Sequence, residues 1–228
     1  MTKKRTLIIG NKKYSNLDIS QLVDSDYFDE IYRCNFGLPK FNTGSRFGTL
    51  AMCSHIYEFF VQKPRPLSEI ITLYTKDGFD KKFLKEFDHN FKEQKSQFDR
   101  IYYQKSSINY CNRVLSKYKS SPRFLKQPRT GHALIFELLQ QNKDIFVFGF
   151  TINQGENRES YGVFTNHSDK SPYHSKKEEI EVLNWLHKSG IIDTSFCYLK
   201  DKKSIHFNKE DESLISPRAK DILRSLIK

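Results

Sequence analysis

Residues 128–150 constrain the fold of this chain more than any other stretch. Pro128-Arg129-Thr130-Gly131 is followed by Ala133-Leu134-Ile135-Phe136-Glu137-Leu138-Leu139 and then by Ile145-Phe146-Val147-Phe148-Gly149-Phe150. The order reads as a tight turn, a buried helix, a short loop and a buried strand ending in glycine. Proline and glycine break whatever precedes them, and the Thr130 hydroxyl is placed to cap the new helix. A helix start of this kind offers free backbone N–H groups and a partial positive charge to an anion. Near the beginning, Leu7-Ile8-Ile9-Gly10-Asn11 is an apolar strand running into Gly-Asn, the usual opening of a nucleotide-binding α/β domain.

The rest of the chain repeats this alternation. Strands are expected at residues 5–10, Asp29–Asn35, Thr49–Cys53, Ile70–Tyr74, Arg100–Tyr103 and Asp144–Gly149, with a late one at Ser195–Leu199. A helix is expected from Ser54 to about Val61. Phe79, Phe83, Phe87 and Phe91 recur every four residues, the spacing of a helix packing stripe. An amphipathic helix runs from about Ser175 to Ser189, with Ile180, Leu183, Trp185 and Leu186 apolar and Trp185 read as core. Ser175 and Glu178 have capping-box spacing, and Gly190 ends the helix. Ser216-Pro217 starts a terminal helix. Residues 153–173 are polar and loop-like, with the length of a lid. Strands alternating with helices predict an α/β fold: one Rossmann-like domain over 1–228, its mainly parallel sheet flanked by helices, plus a small lid. In such sheets ligands bind beyond the carboxyl ends of the strands. Asn11, Asn35 and the segment after Gly149 follow such ends.

Composition narrows the function. The 228 residues can bury a core without disulfides, and 19 Phe with 12 Tyr argue against a wholly disordered chain. The four cysteines (Cys34, Cys53, Cys111, Cys197) are scattered, with no C-x-x-C pair, and are expected to be reduced thiols of a cytoplasmic protein. Leu7–Ile9 is too short for the apolar region of a signal peptide, and no run reaches membrane-span length. The net charge is +11, and Lys76–Arg129 holds fourteen Lys and Arg against six Asp and Glu. A basic surface suits nucleic acid, an anionic membrane face or an acidic glycan, and a solvated helical face gives the same count. Dinucleotide and P-loop fingerprints are absent, as is a G-x-S-x-G elbow. His55, His89 and His167 lack ligand-like companions, so no metal site is expected.

Four blocks taken together resemble a known family. They are Ile8-Ile9-Gly10-Asn11 with Ser15 and Leu17-Asp18-Ile19-Ser20; Asp29-Glu30-Ile31-Tyr32-Arg33-Cys34-Asn35; Pro128-Arg129-Thr130-Gly131 through Gly149-Phe150; and Tyr161 followed by His174-Ser175-Lys176-Lys177 and the helix to Leu186. In this order they resemble the CMP-sialic-acid-dependent sialyltransferases of bacterial glycosyltransferase family 42, which decorate surface lipooligosaccharide. Pro-x-Thr-Gly, and Arg33-x-Asn35 before Gly44-Ser45-Arg46, are also similar to the sialyl motifs of animal enzymes. The blocks cover most of 5–53 and 128–190.

The resemblance implies an inverting, metal-independent transferase with no cofactor, CMP-sialic acid as donor and a glycan acceptor in lipooligosaccharide or capsule synthesis. Asn11, Ser15 and Asn35 would contact the nucleotide. Arg129, Thr130 and Gly131 would hold the phosphate or the sugar carboxylate. Tyr161 would donate to the leaving phosphate, and His174 would be the general base. Such a protein is expected in the cytoplasm or peripheral to the inner membrane, its basic segment facing anionic lipid or acidic glycan, with homo-oligomers common among relatives. The chain departs from the family at Asn153, where a second phosphate-binding tyrosine is usual, and at Gln127 and Thr130, which replace an arginine and a serine. CMP-Kdo as donor, a non-catalytic relative, and a basic nucleic-acid-binding α/β protein with Phe and Tyr stacking platforms stand as alternatives.

Overall fold

The computed structural model describes residues 2–10, 12, 17–34, 44–46, 48–53, 69–74, 100–105, 108–153, 174–199, 207 and 209–226. Its strands are β1 (Arg5–Ile9), β2 (Glu30–Cys34), β3 (Thr49–Cys53), β4 (Glu69–Tyr74), β5 (Arg100–Lys105) and β6 (Asp144–Phe148). They form one sheet in the order β5-β4-β3-β2-β1-β6, every neighbouring pair parallel. The helices are α1 (Ser20–Asp24), α2 (Ile108–Leu115), α3 (Thr130–Gln140), α4 (Lys176–Lys188) and α5 (Pro217–Leu226). This is a Rossmann-like α/β fold. β1 sits between β2 and β6, so the chain steps outward from β2 to β5 and then returns to the other side of β1. The reversal leaves a crevice at the carboxyl ends of β1 and β6, the place where open parallel sheets bind ligands.

The central strands are apolar for a physical reason. Leu7, Ile8 and Ile9 are successive and all buried, as are Ile145 to Phe148. Successive side chains of a strand point to opposite faces, so both faces of the sheet are covered. The helix α3 is buried at every residue from Thr130 to Leu138. Its one charged side chain, Glu137, accepts from the Tyr110 hydroxyl at 2.8 Å and from Gln141 at 3.2 Å. Two helices stop the same way. At α3 the N–H groups of Asn142 and Lys143 donate back to Leu139 and Leu138, with Asn142 at φ +56°. At α4 Gly190 and Ile191 donate back to His187 and Leu186, with Gly190 at φ +66°. Both are paired carbonyl caps of the left-handed kind, and the glycine stop expected at 190 is met.

The sequence expectation fails at Ser195–Leu199, which is not a strand. Asp193 bridges to Phe146 beside β6, Ser195–Tyr198 then winds into a 3₁₀ turn, and Leu199 makes a single antiparallel bridge to Phe207. The Asp193 carboxylate accepts the Ser195 N–H at 2.9 Å and the Ser216 hydroxyl, which bends the chain off the sheet. Phe196 is thereby inserted against Phe28 and Phe146, with ring centroids 6.3 and 6.0 Å away. Ser216 also accepts from the Ala219 N–H at 3.1 Å and so starts α5, as Ser216-Pro217 predicted. Trp185 is half-buried at the rim of the core, edge-on to Tyr118.

Cys34, Cys111 and Cys197 are buried free thiols. Among the described residues no helix is long and apolar enough to cross a membrane. The expected helix at 54–61, the Phe79–Phe91 stripe and the lid-like 154–173 lie outside the described residues.

Candidate functional site at the carboxyl ends of β1 and β6

At the crevice two glycines, Gly10 and Gly131, flank one aromatic ring. Gly10 donates to the Phe148 carbonyl at 2.7 Å, and Lys12 donates to the Gly149 carbonyl at 2.9 Å, so β1 and β6 stay paired past their last strand residues. A Cβ on Gly10 would lie 2.4 Å from the Gly149 oxygen and 2.7 Å from the Phe150 ring. A Cβ on Gly131 would lie 2.6 Å from the same ring and 3.3 Å from Cys34 Sγ. Real Cβ atoms do not approach that closely, so both positions exclude a side chain in order to seat Phe150. Burial pushes the Cys34 thiol up to about 12, which removes it as a thiolate nucleophile. His132, the next residue of α3, packs edge-on to Phe150 with centroids 5.5 Å apart.

Beside this ring the start of α4 grips the turn before α3. The Glu178 carboxylate accepts the N–H groups of Leu125 and Lys126 at 2.9 and 3.0 Å. The Glu179 carboxylate, 2% exposed, accepts the Arg129 N–H at 2.9 Å and pairs with the Arg129 guanidinium. It also lies 3.8 Å from His132 Nδ1. His174, one residue before the cap of α4, sets its Nδ1 2.6 Å from the Gln127 carbonyl oxygen. A carbonyl only accepts, so Nδ1 carries the proton and Nε2 carries the lone pair of the neutral ring. That tautomer suits a base.

The structure therefore brings together His174, Arg129, Thr130 and Gly131. Asn11, Ser15, Asn35 and Tyr161 lie outside the described residues, although β1 ends at Ile9 and its neighbour β2 at Cys34, just before Asn11 and Asn35. The cap expected at Thr130 is not made. Arg129 holds the cap position, extended at φ −70° and ψ 164°, with no side-chain cap bond, and Thr130 is the first helical residue. Glu179 already anchors the Arg129 amide and sets where the helix begins. The capping box at α4 is half made: Ser175 Oγ accepts the Glu178 N–H at 3.3 Å, while the Glu178 side chain serves the 125–126 amides instead. Ser175→Ala is expected to cost about 1 kcal/mol, read as a melting temperature lower by roughly 2–4 °C.

The residues that sequence reasoning missed are Glu179, His132 and Phe150. Glu179 left one trace: it is an acid on the apolar stripe it shares with Leu183 and Leu186 at helical spacing. The Arg33 and Gly44-Ser45-Arg46 block is a fastening. Buried Arg33 donates to the Arg46 carbonyl at 2.7 Å, and the Arg46 guanidinium donates to the Ser25 and Phe28 carbonyls at 2.8 and 2.9 Å. Burial pulls the Arg33 guanidinium down to about 10, against the opposing pull of Asp24. Burial alone would raise the Asp24 carboxyl, but the Ser45 and Arg46 amides hold it below its ordinary value.

An open depression of about 780 Å³ lies at the opposite, amino ends of β1 and β6. Three of its cations are tied to carboxylates: Arg5 to Asp29, Lys143 to Glu30 and Arg218 to Asp144. Among the described residues, His174, Arg129, Thr130 and Gly131 do not line it. The His174 ring meets the turn that leads into α3 instead, through the Gln127 carbonyl. Among the described residues no cluster of three or more His, Cys, Asp or Glu side chains is placed to hold a metal ion.

No protein-family model matches the chain, and no curated protein matches it. The likeness to family 42 stands on the four residue blocks alone.

Proposed function

We propose that this chain is an inverting glycosyltransferase that moves sialic acid from CMP-sialic acid to a glycan hydroxyl. One observation carries the reading: the basic nitrogen of an imidazole is selected by the carbonyl of Gln127, three residues before the start of α3. The first turn of α3 offers backbone N–H groups and a partial positive charge to the donor's phosphate. The bond between the sugar's anomeric carbon and the phosphate oxygen breaks, and the acceptor oxygen forms its bond from the opposite face. His174 Nε2 takes the acceptor proton, and the charge leaving on CMP is met by fixed donors. Tyr161 is the assigned donor to that phosphate, and Asn11, Ser15 and Asn35 are the assigned nucleotide contacts. The work is cytoplasmic, with the basic segment 76–129 turned to an anionic membrane or glycan.

Calorimetric titration with CMP, UMP and GMP tests the donor class. CMP is expected to bind at least ~10-fold more tightly than UMP, about 1.4 kcal/mol, because uracil presents an acceptor where cytosine presents an amine and leaves a site group unpaired. CMP binding should change little with salt. Absence of CMP binding at millimolar concentration, with RNA or DNA binding that falls steeply with salt, would replace this reading by the nucleic-acid one. If CMP binds, a parallel assay with CMP-Kdo separates the two sugar donors.

A further inference from the structure

We propose that Glu179 is a positioning residue that holds His174 in the tautomer a base requires, an inference that rests on the reading of His174 as the base. A carboxylate 2% exposed is costly unless paired. Glu179 is paired on the segment that orients His174. It accepts the Arg129 N–H and pairs with the Arg129 guanidinium, while His174 Nδ1–H donates to the carbonyl of Gln127, two residues earlier. Pro128, between them, has a fixed φ and no N–H, so the 127–129 segment is a stiff strut. His174 and Glu179 both belong to the start of α4, and each grips one end of that strut. The closed figure fixes the imidazole ring relative to the first turn of α3. An unconstrained neutral histidine favours the opposite, Nε2–H tautomer, so the strut selects the less common form.

Glu179→Gln keeps the size and shape of the side chain but removes its charge. The half-buried Arg129 guanidinium then faces a neutral amide, and the strut loses its anchor. The readout is a long-range ¹H–¹⁵N correlation spectrum of the full-length, ¹⁵N-histidine-labelled protein at a pH where the imidazoles are neutral, with His174 assigned from its absence in His174→Ala. Wild type is expected to show His174 as the Nδ1–H tautomer. Folded Glu179→Gln is expected to show a mixture or the Nε2–H form, and exposed Glu181→Gln is expected to match wild type. Should Glu179→Gln fail to fold, Glu179→Asp supplies the test. It keeps the charge but, one methylene shorter, cannot reach both the amide and the guanidinium, so a mixed tautomer is expected.

With CMP-sialic acid as donor, Glu179→Gln is expected to lower kcat ~10–100-fold, the range for outer partners of a functional histidine. An Nε2–H tautomer in wild type, or an unchanged Nδ1–H tautomer in the folded Glu179 variants, overturns the proposal. The spectrum needs no donor. Loss of the turnover arm alone would therefore count against the donor assignment and not against the strut.

Discussion

Replacing His174 by alanine is expected to lower transfer from CMP-sialic acid by about 10²–10⁴-fold, the usual share of a general base, while CMP affinity stays within about twofold. The split follows from where the ring sits. It contacts the Gln127 carbonyl, in the turn that precedes α3, while the N–H groups proposed to meet the phosphate belong to the helix itself. The cap of α4 is Ser175, so its first turn does not depend on the histidine. Losing one part-buried hydrogen bond costs about 1 kcal/mol of stability, too little to unfold a 228-residue chain. The measurement is kcat and donor KM for both proteins, with a calorimetric CMP titration and a thermal melt as controls. Activity within threefold of wild type in a folded His174→Ala protein would remove His174 from the chemistry.

A comparable loss, this time of the fold, is expected from Gly10→Ala. The added methyl would sit 2.4 Å from the Gly149 carbonyl oxygen and 2.7 Å from the Phe150 ring. The oxygen is backbone, and Lys12 N–H already binds it, so it cannot swing aside without opening the end of the β1–β6 ladder. Overpacking of a well-filled site costs about 1–3 kcal/mol and more when the neighbour is rigid. The expected fall is therefore ~3 kcal/mol or more, roughly 6–12 °C in melting temperature for a chain of this length. Gly190→Ala separates sterics from backbone strain. It has φ +66° and nothing within 4 Å of its added Cβ, so only the left-handed conformation is penalised, by about 1–2 kcal/mol. Equal melting temperatures for the two variants would mean that the Gly10–Gly149 approach is not a tight contact in solution.

Most of the sheet was legible because its signal is local. Leu7–Ile9 and Ile145–Phe148 are apolar without interruption, and the stop at Gly190 and the start at Ser175 are written in single residues. The 3₁₀ turn at Ser195–Tyr198 was not legible, since Ser-Phe-Cys-Tyr alternates like a strand. What bends it is a carboxylate two residues earlier together with a hydroxyl from residue 216. The cap at Thr130 failed for a similar reason: a glutamate fifty residues away decides where α3 begins. At the site, sequence named His174, Arg129, Thr130 and Gly131. It did not name the buried acid that ties them, because Glu179 reads as one more charge on a helix already rich in them.

The strand order has a consequence for how the chain comes into being. Of the six strands β1 is made first, and it finds one neighbour, β2, across the connection that holds α1. Its other neighbour is β6, where Ile8 faces Val147. A ribosome needs on the order of ten seconds to cover that distance, and throughout it a strand carrying the apolar run Leu7–Ile9 has no partner on one side. Closing so wide a loop is slow even for the finished chain. The nascent chain thus carries an open seam until β6 emerges, and an unpaired strand edge of that kind is a template for wrong pairing.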